Sequence, residues 1–117
     1  MAKSLLLICR QPGGTAAREA LDIALAGGAF ELPVALLFLD DGVFQLLTGQ
    51  QPTVLEQKDL GANLQALPLF GVDELYVCAE SLARRGLTAS GLALPATLLK
   101  SEELPVLVNR FDLMMTL

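Results

Sequence analysis

The most informative segment of this sequence reads Glu74-Leu75-Tyr76-Val77-Cys78-Ala79-Glu80-Ser81-Leu82. An apolar run of β type ends there in a cysteine and passes directly into residues that favour a helix. In open α/β sheets, ligand-binding and active sites lie at the carboxyl ends of the strands. The free N–H groups at the start of a helix also favour the thiolate form of a nearby cysteine. Cys78 is therefore the candidate catalytic residue. The alternative interpretation is a small buried apolar residue, which is how most free cysteines behave.

Similar patterns extend on both sides of this segment. Apolar runs predict strands at residues 3–9, 33–39, 73–78 and 112–117, with a weaker one at 92–98. Helical spacing of apolar residues predicts helices at residues 16–26, 54–67, 79–85 and 101–109 and a helical turn at 43–47. The pair Gly27-Gly28 is interpreted as the stop of the first helix.

Strands that alternate with helices indicate a parallel sheet, because right-handed crossovers permit little else. The predicted fold class is α/β: a single-layer, mostly parallel five-stranded sheet with helices on both faces, on a flavodoxin-like plan. In that strand order the first and third strands are neighbours. Cys9 and Cys78 would then meet at one carboxyl edge, about 5 Å apart laterally.

Composition predicts one domain that has partners. A chain of 117 residues has the size of a single domain, spanning residues 1–117. Hydrophobic residues make up 53% of it and charged residues 18%, against roughly 25% in typical soluble domains. Apolar surface is therefore expected to remain once the core is filled, and we expect the chain to assemble with other subunits.

Charge and cysteine usage exclude several classes of function. The net charge is −5 and the basic residues form no stripe, so direct nucleic-acid binding is not expected. The longest uncharged stretch, residues 86–99, is too short to span a membrane. The first ten residues do not form a secretory signal, so the predicted location is the cytoplasm, with Cys9 and Cys78 as free thiols. The sequence contains no histidine, which excludes Ser-His-Asp triads and Cys-His dyads.

Three further motifs have both a functional and a structural interpretation. The loop Pro12-Gly13-Gly14-Thr15 precedes a helix and could hold an anion, but it lacks the phosphate-binding fingerprints and reads better as a turn. Asp40-Asp41 could bind magnesium, yet adjacent carboxylates more often form a solvated turn. Arg84-Arg85 suits a solvated helix end. No metal or cofactor site is predicted.

Three segments together resemble the TusC/DsrF family of the DsrE-like superfamily. They are GTAARE at residues 14–19, DGVFQLLTGQQP at 41–52 and VCAESLARRGL at 77–87. The resemblance runs over essentially the whole chain, and the second segment favours TusC over its TusB and TusD relatives. It implies a DsrE-like fold and a subunit of a TusBCD-type complex, a dimer of heterotrimers with TusB-like and TusD-like paralogues. Such complexes pass persulfide sulfur from TusA-like to TusE-like carriers for 2-thiolation of wobble uridine in tRNA.

The resemblance also bears on Cys78. In TusD/DsrE paralogues a cysteine in a matching context carries the persulfide, whereas in TusC-like subunits it is not regarded as the essential carrier. Three functions therefore stay open. The first is a subunit that is not an enzyme on its own but completes a sulfurtransferase complex. The second is a direct thiol sulfurtransferase using Cys78, or a DsrF-like role in sulfur oxidation. The third is a phosphate- or small-ligand-binding module using Gly13, Gly14 and Asp41.

Overall fold

The computed structural model describes residues 3–12, 14–46, 66–72, 74–88, 92 and 96–117. Within these residues one parallel sheet contains β1 Leu5–Cys9, β2 Val34–Phe38, β3 Glu74–Cys78, β4 Thr97–Leu99 and β5 Leu113–Thr116. The α-helices of this part are α1 Gly14–Ala29, α2 Ala79–Arg84 and α3 Leu104–Asn109. Short 3₁₀-helices span Asp40–Leu46, Leu67–Phe70 and Ser101–Glu103.

The strand order is β4-β3-β2-β1-β5, and every neighbouring pair is parallel. The predicted fold class is confirmed, but the prediction that the first and third strands are neighbours is wrong because β2 lies between them. The reason is visible in the segment Val-Ala-Leu-Leu-Phe of β2, in which all five residues are buried. Such a strand needs a neighbour on each side as well as a cover on each face, so it takes the centre of the sheet.

Each face of the sheet is covered by a helix. On one face, Leu7, Leu36 and Val77 pack with the buried side of α1, where apolar residues recur at helical spacing. On the other face, Leu6 and Leu37 pack against Leu107 of α3. Because strand side chains alternate between faces, consecutive buried residues such as Leu6 and Leu7 belong to different cores.

The predicted stop at Gly27-Gly28 is wrong, since α1 continues through both glycines to Ala29. A Cβ on Gly28 would lie 2.3 Å from the carbonyl oxygen of Phe70, and one on Gly27 would lie 2.6 Å from Cγ2 of Val34. These glycines therefore allow the end of α1 to lie close to the segments that contain Val34 and Phe70.

Other predicted elements shift or fall outside the described residues. The predicted fourth strand at 92–98 is observed at Thr97–Leu99. The predicted helix at 101–109 is a 3₁₀ turn followed by α3, with Pro105 in the first turn of α3. The predicted helix at 54–67 lies outside the described residues except for its end.

Candidate functional site

Cys78 lies where the sequence predicts it, at the junction of β3 and α2. It is the last residue of β3 and the N-cap of α2, with an extended backbone (φ −76°, ψ 117°). Its side chain makes no capping hydrogen bond, and only 4% of the residue is exposed. The candidate thiol is therefore in the expected place but covered.

Apolar residues flank Cys78 on the neighbouring strands. Leu99 of β4 is its register partner, and Leu39 follows the Phe38–Val77 pair on the β2 side. Both leucines pack against the Leu6 core. Alternation along β3 places Cys78 on the same face as Tyr76, which also packs there. The surroundings of Cys78 in the sheet are thus apolar.

The first turn of α2 is hydrogen-bonded to the ends of both strands beside β3. On the β2 side, the backbone N–H of Asp40 donates to Oγ of Ser81 at 3.0 Å. On the β4 side, the hydroxyl of Ser101 donates to Oε2 of Glu80. This bond and the nearby guanidinium of Arg84 lower the pKa of Glu80 below its ordinary value. The residues that follow Cys78 are therefore fixed from two directions.

Ion pairs hold the carboxylates of the predicted acid pair. Nη2 of Arg10 lies 2.6 Å from Oδ2 of Asp40, and Nη2 of Arg85 lies 3.0 Å from Oδ1 of Asp41. Arg85 also donates to the carbonyl oxygen of Ser81 at 3.2 Å. Within the described residues, no group of three or more Cys, Asp and Glu side chains is arranged to hold a metal ion. The pair thus ties the turn after β2 to its neighbours.

The two arginines at the end of α2 have different roles. Arg84 is mostly exposed and pairs within its own helix with Glu80 at 2.5 Å, as a solvated helix end would. The side chain of Arg85 is only 22% exposed and reaches Asp41 across the carboxyl edge. The interpretation as a solvated helix end therefore holds for Arg84 and is wrong for Arg85.

Cys9 occupies a different environment from Cys78. It ends β1 within the Leu7 core, is 2% exposed, and burial raises the pKa of its thiol to about 12. The 3₁₀-helix after β2 lies directly against it: a Cβ on Gly42 would be 1.9 Å from the carbonyl oxygen of Cys9.

The expected meeting of Cys9 and Cys78 is wrong. β2 separates their strands, which places them about 10 Å apart laterally, or two strand spacings. Strand alternation also turns them to opposite faces of the sheet, because Cys9 is level with Phe38 and Val77 rather than with Cys78. Both thiols are free.

The structure does not assemble the third predicted site. Gly13 lies outside the described residues, and Gly14 is the first residue of α1. The carboxylate of Asp41 is paired with Arg85 near α2.

The sequence analysis missed the contacts of Arg10, Glu80, Ser81 and Ser101. Arg10 directly follows β1, and Asp40 follows the adjacent parallel strand β2 after one residue, so the order of the strands would have predicted that pair. Ser81 is the buried polar residue of the described chain. A serine on the inner face of a short helix signals a partner, because buried hydroxyls are nearly always hydrogen-bonded.

Apolar side chains remain on the surface, as the composition predicts. On the edge strand β5, Leu113, Met114 and Met115 are all exposed. At the amino end of the sheet, Phe30 and Leu69 are the most exposed large apolar residues of the part that the structure describes. None of the helices in the described ranges is both long and apolar enough to cross a membrane.

Comparison with known proteins assigns the family. A family model described as the DsrE/DsrF-like family matches residues 2–117. The chain belongs to the DsrE/DsrF-like family. The sequence is 60% identical to "Protein TusC homolog" of Pseudomonas aeruginosa over 119 residues, which cover 100% of both chains.

Less similar relatives carry the TusC name as well. The chain is 38% identical to "Protein TusC homolog" of Vibrio parahaemolyticus over 88% of each chain. It is 42% identical to "Protein TusC" of Escherichia coli O9:H4 over 74% of each chain. The crystal structure of the ychN protein from E. coli superimposes with a TM-score of 0.77 over 100% of both chains at 22% identity, which shows a shared fold. The resemblance to the TusC/DsrF family is thus confirmed.

Proposed function

We propose that this chain acts as a single domain, residues 1–117, in a cytoplasmic TusBCD-type sulfurtransferase complex. Its partners would be TusB-like and TusD-like subunits in a dimer of heterotrimers that relays persulfide sulfur for 2-thiolation of tRNA wobble uridine. TusA-like and TusE-like carriers would deliver and receive the sulfur. The observation that carries this proposal is the 60% identity to a protein named TusC homolog along the entire chain.

Two features of the fold support a subunit that is not an enzyme on its own. Exposed apolar residues on β5 and at Phe30 and Leu69 offer surface that subunit contacts would bury. Cys78, the candidate sulfur carrier, is almost fully covered in the isolated chain. A covered thiol suits a subunit that completes the complex while a paralogue carries the persulfide.

Co-expression tests this function. The full chain, tagged, is produced together with TusB-like and TusD-like proteins of the same cell and analysed by native mass spectrometry. We expect one stoichiometric hetero-oligomer, and loss of 2-thiouridine from tRNA when the gene for the chain is deleted. A chain that purifies alone, and whose deletion leaves 2-thiouridine unchanged, would contradict the proposal.

A second candidate is a direct thiol sulfurtransferase, favoured by the position of Cys78 at the N-cap of α2. In this reaction the Cys78 thiolate attacks the outer sulfur of a donor persulfide, R–S–SH. The S–S bond breaks, the donor leaves as thiolate R–S⁻, and Cys78–S–SH forms, so no external oxidant or reductant is needed. Persulfide labelling of the assembled complex separates the candidates, because label on Cys78 that is lost in Cys78→Ser together with relay activity supports this one.

A DsrF-like role in sulfur oxidation is compatible with the same fold. The two pathways differ in their product. A deletion strain that keeps tRNA 2-thiouridine but no longer oxidises reduced sulfur would assign the chain to sulfur oxidation.

A further inference from the structure

β5, the last strand on the β1 side of the sheet, uses only one of its two edges. The N–H group of Leu113 donates to the carbonyl oxygen of Ser4 at 3.0 Å, and Leu117, four residues on, donates to β1 in the same way. Successive residues of a strand point their backbone groups to alternate sides. The N–H and C=O groups of Met114 and Thr116 therefore point away from β1, where no strand lies among the described residues.

The side chains of β5 are apolar and exposed on both faces of the sheet. Leu113, Met114 and Met115 are 51%, 54% and 42% exposed. Met114 lies level with Leu6, which belongs to the core under α3. Met115 lies level with Leu7, which belongs to the core under α1. Apolar surface thus flanks the free edge on both of its sides.

β5 lacks the features that protect edge strands. Natural sheets protect a free edge with a charged residue, a proline, a bulge or a very short strand. The four residues of β5, Leu-Met-Met-Thr, are uncharged and pair with β1 without interruption. β4, at the opposite edge, has only three residues and is followed by Lys100. The free edge of β5 is therefore suited to pairing with another strand.

We propose that β5 pairs with β5 of a second copy of this chain, antiparallel and about a two-fold axis, so that two five-stranded sheets become one. With Met115 opposite its own copy, Met114 faces Thr116 of the second copy. Residues in such positions exchange both of their backbone hydrogen bonds, so the outward groups of both residues are satisfied. Each copy has one such edge, and the contact closes at a dimer.

The side chains of β5 suit a copy of themselves. A strand that covers this edge must be apolar on both faces, and β5 has that property. No charged residue lies at 113–117, so no like charges meet across the axis. The contact is smaller than the roughly 800 Å² per partner of a standard interface. We therefore expect a reversible dimer of the isolated chain, with a Kd of about 10–100 µM.

The inference rests on the proposed function only for its place in the cell. A dimer of heterotrimers contains two copies of this chain, and β5 pairing would join the two heterotrimers. Contacts made by the other subunits would then strengthen a pairing that is weak in the isolated chain.

Sedimentation velocity of the full chain between about 5 and 200 µM tests the pairing. The wild type should shift from monomer to dimer over this range. Met115→Lys places two ammonium groups opposite each other, and Thr116→Pro removes an outward N–H without removing a hydrogen bond to β1. Each should raise the Kd at least about tenfold. Leu98→Lys is the matched control on β4, where Leu98 is 43% exposed, and should leave the Kd unchanged.

A mixture of two variants sharpens the test. Equal amounts of Met115→Lys and Met115→Glu should restore dimers, because opposite charges then meet across the axis. Circular dichroism confirms that each variant folds, and Thr116→Pro decides if Met115→Lys does not. A wild type that is monomeric over the whole range, or a dimer that both substitutions leave unchanged, overturns the proposal.

Oxidation of Met115→Cys, in a chain that also carries Cys9→Ala and Cys78→Ala, locates the contact. Directly opposed residues of this kind lie within reach of a disulfide. A disulfide between two copies, in the isolated chain and in the hetero-oligomer with TusB-like and TusD-like proteins, supports β5 pairing. A hetero-oligomer in which this thiol resists iodoacetamide but does not link to its copy assigns the edge to another subunit and overturns the proposal.

The same variant separates this inference from the proposed function. If no hetero-oligomer forms, the proposed function fails, and the disulfide in the isolated chain still decides whether β5 pairs with its copy.

Discussion

Cys9 and Cys78 both end central strands of one sheet and both are buried, but they are covered in different ways. Cys9 lies in the Leu7 core, against the backbone of the segment that contains Gly42. Cys78 lies on the opposite face of the sheet, at the junction of β3 with a six-residue helix, and its register partner Leu99 belongs to the short edge strand β4. We therefore expect exposure of Cys9 to require unfolding of the domain and exposure of Cys78, beside the edge of the sheet, to require less.

The exposed fraction of a thiol in a static structure does not by itself decide whether the thiol can react. What matters is the free energy needed to uncover it, which is the global unfolding free energy in a core and much less at a locally held turn.

The largest expected effect comes from filling the close contact over Cys9. In Gly42→Ala the new Cβ would overlap the carbonyl oxygen of Cys9, and backbone must move. We expect the free energy of unfolding to fall by about 3 kcal/mol, the upper part of the range for overpacking. Urea denaturation measures it.

Gly86→Ala is the control for this change. At Gly86 the positive φ of +67° strains an alanine, but no atom lies within 4 Å of the added Cβ. The expected cost is therefore smaller, about 1 kcal/mol. If Gly42→Ala lowers the free energy of unfolding no more than Gly86→Ala does, the segment around Gly42 packs less tightly against Cys9 than the structure shows.

Titration of Cys9 gives the next effect. Its folded pKa is raised from 9.0 to about 12, so burial of the neutral thiol stabilises the fold fully below pH 9, and this contribution is lost as pH rises toward 12. Between pH 9 and 11 we expect the wild type to lose about 2 kcal/mol more than Cys9→Ala, measured by urea denaturation at each pH.

Leu7→Ala is the control, because it disturbs the same core without removing an ionisable group. It should lower stability at every pH and keep the alkaline dependence of the wild type. Parallel pH curves for wild type and Cys9→Ala would contradict the core placement of Cys9.

Direct comparison of the two thiols has a smaller expected effect. With each cysteine as the remaining thiol, in Cys9→Ala and Cys78→Ala, we expect Cys78 to react with iodoacetamide at least about tenfold faster than Cys9. Low urea should accelerate Cys9 with the slope of global unfolding and leave Cys78 nearly unchanged. Identical urea slopes would mean that both thiols require unfolding.

The smallest effect concerns the charge of Glu80. Its lowered pKa means that the carboxylate helps to hold α2 above pH 4.5, and that this help is lost as pH falls below that value. Glu80→Gln should slightly lower the thermal midpoint at pH 6, and the difference from wild type should shrink as the pH falls below 4.5.

Asp112→Asn provides the comparison for Glu80→Gln. The pKa of Asp112 is also lowered, by hydrogen bonds from Ser4, so it should show the same acid dependence. An acid dependence that appears in Asp112→Asn and is absent from Glu80→Gln would contradict the role given to the Glu80 carboxylate.

The sequence predicts the strands because their apolar runs are long and buried, as in Leu5–Cys9 and Val34–Phe38. It does not predict their order, because helical crossovers fit several parallel orders and the flavodoxin-like order is only one of them. The fully apolar β2 carries part of the missing information: a strand with no polar residue does not suit the edge of a sheet, which is where the flavodoxin-like order would place it.

The candidate site is likewise predictable from the sequence only in part. The position of Cys78 follows from the local change from strand to helix, which is visible in nine consecutive residues. The hydrogen bonds around the start of α2 join Asp40 to Ser81 and Glu80 to Ser101, pairs that are 41 and 21 residues apart. Such contacts depend on which strands are neighbours, so an error in strand order conceals them.

The most direct test of the proposed role measures 2-thiouridine in tRNA from cells that lack the gene for this chain and are complemented with wild type or Cys78→Ser. Immunoblotting confirms equal amounts of both proteins. The account predicts that both restore 2-thiouridine fully, because the chain completes the complex while its own thiol stays covered. A Cys78→Ser strain as deficient as the uncomplemented one would contradict it.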